Sequence, residues 1–263
     1  LSLGIETMGG VFTKLIERFG LTAPDRPGEE THTAARTMTV EQVTEPERAE
    51  ELLELWRQAD HVSLLTLPDL GGAAVVCGTG EASGLTAELF FEKYQGDWNA
   101  LLRALFSADI RKVSHNVKDL MRGLLEEGLP IGGFVFDTAL AAYLLSPTDG
   151  SYELEKLCVT YFNREISKAG EYLAPDAFGP LADPAGPEKA LSSHTALVEQ
   201  LYRTLAPRLA ELGLEQVFSR VELPLCPVLA EMERAGMLVD RKALADFGVM
   251  LDERLRSDEA AIY

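Results

Sequence analysis

The order of strand-like and helix-like patterns is the feature that most constrains the fold of this chain. Three short apolar runs, bounded by glycine and proline, come first, at residues 61–67, 73–77 and 85–91. Helical and strand-like segments then alternate as far as residue 162, and long helical patterns fill residues 188–263. This order predicts an α/β domain with a mixed sheet flanked by helices and a helical C-terminal extension.

Glycine and proline positions set most of the element boundaries. A loop containing Pro68, Gly71 and Gly72 predicts a hairpin between the first two strands. Pro224 and Pro227 predict a bend in the penultimate helix, because neither residue can donate a backbone hydrogen bond. The remaining predictions are strands at 110–114 and 134–136, and helices at 46–58, 98–106, 116–127, 138–145, 152–162, 188–212, 215–234 and from 241 to the end.

Helix caps can be predicted at several of these boundaries. Thr44 should cap the helix that begins near Pro46, and Asp137 should cap the helix that follows it. Gly236 is typical of a helix C-terminus, and Asp240 should cap the last helix. That helix has no stop signal before Tyr263, which predicts that the chain is a piece of a longer protein.

Composition excludes several classes of protein. The chain has 263 residues and is 46% hydrophobic, but none of its apolar runs approaches the roughly 20 residues that a membrane helix needs. Residues 1–20 lack the pattern of a secretory signal, so we expect a cytoplasmic protein. The cysteines, Cys77, Cys158 and Cys226, lie far apart in apolar stretches, and we expect buried free thiols.

The charge balance argues against strong binding to DNA. Lys and Arg number 24 and Asp and Glu number 42, for a net charge of −18. Proteins that hold duplex DNA neutralise its phosphates with Lys and Arg, so this chain as a whole should repel a polyanion. Only local basic pairs such as Arg111–Lys112 and Arg241–Lys242 are candidate contacts.

Two segments carry a family resemblance. The first reads Ser-His-Asn-Val-Lys at residues 114–118 and continues as Phe-Asp-Thr-Ala-Leu at residues 136–140. The second reads Glu-Leu-Pro-Leu-Cys-Pro-Val-Leu at residues 222–229, followed by Glu-Arg-Ala-Gly-Met-Leu-Val-Asp at residues 233–240. In order and spacing they resemble the proofreading domain and the start of the polymerase domain of bacterial family A DNA polymerases. Residues 11–15 also resemble the last helix of that family's 5′-nuclease domain.

The resemblance implies four parts: the tail of a 5′-nuclease region (1–20), a flexible linker (21–40), a 3′–5′ exonuclease-like domain (41–212) and the first helices of a polymerase domain (213–263). It implies a ribonuclease-H-like fold for the third part. The expected partners are the polymerase and 5′-nuclease domains of the same polypeptide, with DNA bound through the full-length protein. Mg²⁺ would be held in the polymerase part, and no cofactor is expected in this segment.

In the family that this chain resembles, the proofreading site holds two metal ions between carboxylates. At the matching positions of this chain, the resemblance places residues other than Asp and Glu. The resemblance places Leu65 and Leu67 where the first strand carries an Asp-x-Glu pair, which works because alternate strand residues share a face. It places Leu120 at the second acidic position and reaches Ser193 at the third. Asp119 is one residue early, and one residue on a helix turns a side chain by about 100°.

Three functional hypotheses follow. In the first, the segment has no catalytic or metal-binding residues and serves as a structural scaffold. In the second, it is an active nuclease whose ligands have moved to Asp60, Asp69, Asp119 and Asp137. In the third, it is a non-catalytic module that binds single-stranded DNA or protein, through residues that the sequence does not identify. His194 is a solitary histidine on a helix, which is typical of a surface or core residue and not of a ligand.

Overall fold

The computed structural model describes residues 39–78, 84–166 and 186–262, with side chains from residue 190 in the last range. Residues 11–15, which resemble the last helix of a 5′-nuclease domain, and nearly all of the predicted linker lie outside the described residues.

Six strands form one sheet, which is mixed as the sequence predicted and has one strand more than the five predicted. In chain order they are β1 (Thr39–Gln42), β2 (Val62–Thr66), β3 (Gly72–Cys77), β4 (Leu85–Phe90), β5 (Lys112–Ser114) and β6 (Phe134–Asp137). Their order across the sheet is β1-β4-β3-β2-β5-β6. The predicted β2–β3 hairpin is confirmed, and β3 pairs with β4 in the same antiparallel sense. The β2–β5, β5–β6 and β1–β4 pairs are parallel, so the chain crosses over between the two strands of each pair, and each crossover includes a helix.

The helices flank this sheet and continue beyond it. They are α1 (Pro46–Gln58), α2 (Trp98–Leu105), α3 (Val117–Glu126), α4 (Thr138–Leu145), α5 (Leu154–Phe162), α6 (Gly186–Glu211), α7 (Glu215–Val217), α8 (Leu223–Ala235) and α9 (Arg241–Ile262). The helices predicted in the described residues are present with ends shifted by at most a few residues, except that the one predicted at 215–234 is interrupted.

The sheet separates two layers of apolar packing. On one face, the apolar sides of α1 and α2 pack against Val62 and Leu64 of β2 to form the first core cluster. On the other face, α4, α5 and α6 form the second core cluster with Val113 and Phe136. Because successive strand residues point to opposite faces, Ser63, Leu65 and Leu67 point toward α6.

Near the start of the described chain, one predicted cap was wrong and one strand was missed. Thr44 does not cap α1; the residue at the cap position is Glu45, which makes no side-chain cap hydrogen bond. Pro46 lies in the first turn as expected, since the fixed φ of proline suits that position and its missing N–H costs nothing there. The strand β1 was not predicted, because its short polar sequence gains its hydrogen bonds only by pairing with the distant β4.

The penultimate helix is irregular where prolines were expected to bend it. The predicted continuous helix at 215–234 is divided into α7, one π-helical turn (Phe218–Glu222) and α8. Pro224 and Pro227 both lie within α8 and deprive the turn before them of two backbone donors. A π turn shifts the hydrogen-bond register by one residue, which accommodates such a local mismatch.

The predictions for the other caps were confirmed. The Asp137 carboxylate accepts hydrogen bonds from the backbone N–H groups of Ala139 and Leu140 at the start of α4. Gly236 ends α8 with a positive φ of 68°, a conformation that costs glycine little. Asp240 Oδ1 accepts from the backbone N–H groups of Lys242 and Ala243, each at 3.0 Å.

All three cysteines are buried and free, as predicted. Within the ranges that the structure describes, the helices lack the combination of length and apolar character that crossing a membrane requires.

The prediction of a basic surface pair at Arg111–Lys112 was wrong for the lysine. Lys112 is completely buried, and its ammonium donates to the backbone carbonyls of Ser107 and Ile110, each at 2.7 Å. The Phe134 ring lies 5.7 Å from the same nitrogen. Burial lowers the pKa of Lys112 to about 7, and this side chain is not available to a phosphate.

The depressed pKa of Lys112 predicts a pH-dependent stability. Between pH 7 and 10 the unfolded chain holds a proton on this lysine that the folded chain has released, so the free energy of unfolding should rise with pH. One proton contributes at most about 1.4 kcal/mol per pH unit. Urea unfolding from pH 7 to 9 should show a steeper rise for the wild type than for Lys112→Met.

Lys242→Met is the matched control, because the Lys242 side chain is 85% exposed. Its pH dependence should follow that of the wild type. Equal slopes for Lys112→Met and the wild type would show that Lys112 stays protonated in the folded protein.

Candidate active-site cleft

The α6-facing side of β2 is where the family resemblance would place an acidic pair. Helix α6 runs antiparallel to the strand, with Leu191 in contact with Leu67, the residue after β2, and Glu199 bonded to Ser63 near its start. Ser63 and Leu67 are four residues apart, about 13 Å along a strand, and Leu191 and Glu199 are eight apart, about 12 Å along a helix. The two stretches therefore have nearly the same length, and α6 lies along this face of β2.

The side chains at the expected acidic positions are apolar and packed. Leu67 is 8% exposed and forms a buried group with Ala74, Phe90 and Leu191. Leu65 is partly buried and packs against that group and against the second core cluster. We call Leu65, Leu67, Ala74, Phe90 and Leu191 the leucine cluster; it includes the two positions where the resemblance would place the acidic pair.

The second expected position also carries an apolar side chain. Leu120 is partly buried and packs against the first core cluster. Helix α3 begins at Val117 without a shift in register, and the Asp119 side chain is 59% exposed. The Asp119 carboxylate lies 2.9 Å from the Lys118 ammonium, so the structure places it in a surface ion pair.

The third expected position lies on α6. Ser193 is exposed, and its neighbour His194 is only 1% exposed. His194 Nδ1 lies 2.7 Å from the carbonyl oxygen of Ala190, one turn earlier in the same helix. His194 is thus a core histidine with a backbone partner, one of the two environments expected for it.

The four carboxylates of the relocated-ligand hypothesis lie in different places. Asp60 is exposed before the start of β2, and Asp69 is exposed beyond its other end, where it accepts from Gly71 N at 2.9 Å. Asp119 is on the surface of α3, and Asp137 is buried at the end of β6. In the described ranges, no group of three or more His, Cys, Asp or Glu side chains is arranged to hold a metal ion.

Asp137 has a larger structural role than the sequence indicated. Besides capping α4, it accepts from the backbone N–H groups of Asn116 (3.2 Å) and Val117 (2.8 Å) at the start of α3. One carboxylate thus caps two helices whose starts are about twenty residues apart in the sequence. Burial raises the pKa of Asp137 to about 6, although the backbone N–H groups favour its charged form.

His115, in the Ser-His-Asn-Val-Lys segment at residues 114–118, is buried and neutral. Its Nδ1 lies 2.8 Å from Thr138 Oγ1, and the Thr138 hydroxyl in turn donates to the carbonyl of Ser114. The Nδ1 nitrogen therefore carries the proton, and Nε2 is a buried acceptor without a hydrogen-bond partner among the described residues. Burial lowers the pKa of His115 to about 4, because a charged imidazole would lose its hydration there.

Sequence reasoning missed a buried polar group between α6 and the sheet. Glu199 is 6% exposed, and its Oε2 lies 2.8 Å from both His61 Nε2 and Ser63 Oγ. Arg203 Nε donates to Glu199 Oε1 at 2.6 Å. Burial raises the pKa of Glu199, but the bonds from His61, Arg203 and Ser63 outweigh it and hold the pKa below its ordinary value. The only signal in the sequence is an acidic residue among the core positions Leu197, Val198 and Leu201.

Comparison with known proteins supports both the fold and the family resemblance. A DNA polymerase I of Mycobacterium leprae is 32% identical over 171 residues, which are 64% of this chain and 19% of that protein. The structure of the POL domain of Pol1 from M. smegmatis, in complex with DNA primer-template and dNTP, matches with a TM-score of 0.65 and 25% identity. That match covers 85% of this chain and 37% of the other. No family model matches the chain.

A second solved structure matches this chain over nearly the full length of the other protein. Brucella melitensis NrnC with bound Mg²⁺ has a TM-score of 0.56 at 20% identity, and the match covers 76% of this chain and 95% of that one. An identity this low establishes only the shared fold.

The mixed sheet, the helices that flank it and these structural neighbours define the class: an α/β domain with the ribonuclease-H-like exonuclease fold. The chain resembles a segment of the DNA polymerase I proteins, which are family A DNA polymerases. It spans about a fifth of the length of the curated relatives that it matches.

Proposed function

We propose that this segment is a catalytically inactive exonuclease-like domain that acts as a scaffold within a DNA polymerase I. The leucine cluster is the observation that carries the proposal. Two divalent ions need several oxygen ligands, and apolar side chains packed against α6 supply none. The polymerase chemistry, with its Mg²⁺, belongs to the rest of the parent protein.

The junction between α3 and α8 supports the scaffold role. Val117 and Met121 of α3 form a buried group with Cys226 and Ala230 of α8. The Glu233 carboxylate adds exposed ion pairs with Lys118 at 2.6 Å and Arg122 at 3.6 Å. Exposed pairs contribute little, so burial holds the junction. The exonuclease-like fold is thereby packed directly against a helix that resembles the start of the polymerase domain.

The proposed partners are the polymerase and 5′-nuclease domains of the same polypeptide, and DNA is held through those domains. The net charge of −18 and the burial of Lys112 support weak or no DNA binding by this segment alone. The bacterial relatives support a cytoplasmic location at the nucleoid.

An assay of 3′-end trimming tests the proposal. The chain is incubated with 5′-labelled single-stranded DNA and either Mg²⁺ or Mn²⁺, beside a proofreading-competent polymerase as the positive control. We expect no shortening above background. The rate with Asp119→Ala should equal that of the wild type, a ratio of about one, because a surface ion-pair residue holds no metal.

The Asp119→Ala variant also separates true activity from a contaminating nuclease. A trace contaminant would act equally in both preparations. Metal-dependent trimming by the wild type that disappears in Asp119→Ala would overturn the proposal and favour an active nuclease with relocated ligands.

A further inference from the structure

We infer that Glu199 is a lock that fixes the position of α6 on the sheet and so keeps the leucine cluster closed. The inference concerns the same cleft as the proposed function and rests on that proposal for its biological meaning. Its physical content is independent, because it concerns the register of a helix and not the presence of metal ligands.

The Glu199 carboxylate bonds directly to the start of β2 and, through Arg203, is linked to the end of β3. It is bonded to His61 and Ser63 at the start of β2, and to Arg203 one turn further along α6. Arg203 also donates to the carbonyl oxygen of Gly78, just after β3, at 2.9 Å. The His61 ring is in contact with the Tyr202 ring, whose centroid lies 4.5 Å away. The charge is therefore compensated within the fold.

A buried charge with this many hydrogen-bond partners is fully satisfied at only one position of α6 on the sheet. Sliding α6 by one turn would move Glu199 by about 5.4 Å and break its bonds to His61 and Ser63. Arg203 lies on the same helix and would move with Glu199, but a buried carboxylate that loses two of its hydrogen bonds is unfavourable, so the helix should not slide. Apolar contacts such as that of Leu191 with Leu67 tolerate a shift more easily, since they are not directional.

A second buried carboxylate also bonds to α6, close to the leucine cluster. Glu88 of β4 is 5% exposed and accepts a hydrogen bond from the Ser192 hydroxyl of α6. Ser192 is adjacent to Leu191, the α6 residue of the leucine cluster. Polar bonds thus hold α6 to the sheet at Ser192, next to the leucine cluster, and at Glu199, about two turns further along, with Glu199 making the larger number of bonds.

Hydrogen–deuterium exchange of the whole chain tests the lock, with Glu199→Gln as the variant. Glutamine keeps the shape, but its single acceptor oxygen can face either His61 and Ser63 or Arg203, and its NH2 group then opposes the donors on the other side. We expect amide protection in residues 191–199 of α6 to fall by about ten- to a hundredfold relative to β3 and β4. Glu211→Gln, at the exposed end of α6, is the matched control and should change nothing.

The pattern of protection distinguishes a lock from a general stabilising contact. Loss of protection by an equal factor in α6, β3 and β4, or no loss anywhere, would overturn the inference. The trimming assay is a separate measurement: trimming by the wild type would refute the inactive scaffold, whereas the exchange pattern alone decides the lock.

Discussion

Replacing Asp137 with alanine should destabilise the chain by about 2–4 kcal/mol, because a single carboxylate caps two helices. A lost N-cap costs about 0.5–2 kcal/mol for each helix, and buried donors left without a partner add to this. Asp137 is 2% exposed, so water cannot replace the carboxylate at the starts of α3 and α4. The free energy of unfolding, measured by urea denaturation at constant pH, gives the value.

Asp240→Ala provides the matched comparison. Asp240 caps α9 with hydrogen bonds of ordinary length, but it is exposed and none of the residues of α9 is buried. Removing this cap should cost no more than about 1 kcal/mol. If the two variants lost the same free energy of unfolding, the double cap at Asp137 would contribute no more than a single exposed cap.

Leu67→Ala should destabilise the chain by about 2–5 kcal/mol, the usual cost of truncating a buried leucine. Leu67 is 8% exposed and packs against Phe90 and Leu191. In an open, solvated cleft the same change would cost little, because the side chain would already be in contact with water. Urea denaturation therefore reports whether the position is a packed core site.

Leu255→Ala controls for the chemical change alone. Leu255 is 60% exposed on α9, and its truncation should alter the free energy of unfolding by less than about 0.5 kcal/mol. A similarly small effect of Leu67→Ala would show that the leucine cluster is loosely packed, and would weaken the scaffold proposal.

Much of the fold could be predicted because it depends on local signals. The hairpin between β2 and β3 follows from apolar runs separated by Pro68, Gly71 and Gly72. Asp137, Gly236 and Asp240 act within one or two residues of a helix end, so their caps could be identified from sequence alone. Strand β1 could not, because its pairing partner lies more than forty residues away.

The features of the candidate site likewise fall into those that local sequence signals predict and those that depend on distant contacts. The absence of an acidic pair at Leu65 and Leu67 could be deduced from the sequence, since it needs only the strand register and the residue types. The environment of each side chain could not. The sequence suggested that Lys112 was a candidate surface contact, whereas the turn at Ser107 and Ile110 encloses its ammonium.

The sequence by itself determined the α/β class, the order of the elements, most helix caps and the apolar residues on the α6-facing side of β2. These depend on residue type and short-range spacing. Only the tertiary structure decided that Glu199 bonds to Ser63 and His61, which are 136 and 138 residues away, and that Asp137 caps a second helix. A hydrogen bond depends on distance and direction to the angstrom, and distant segments acquire these only when the chain has folded.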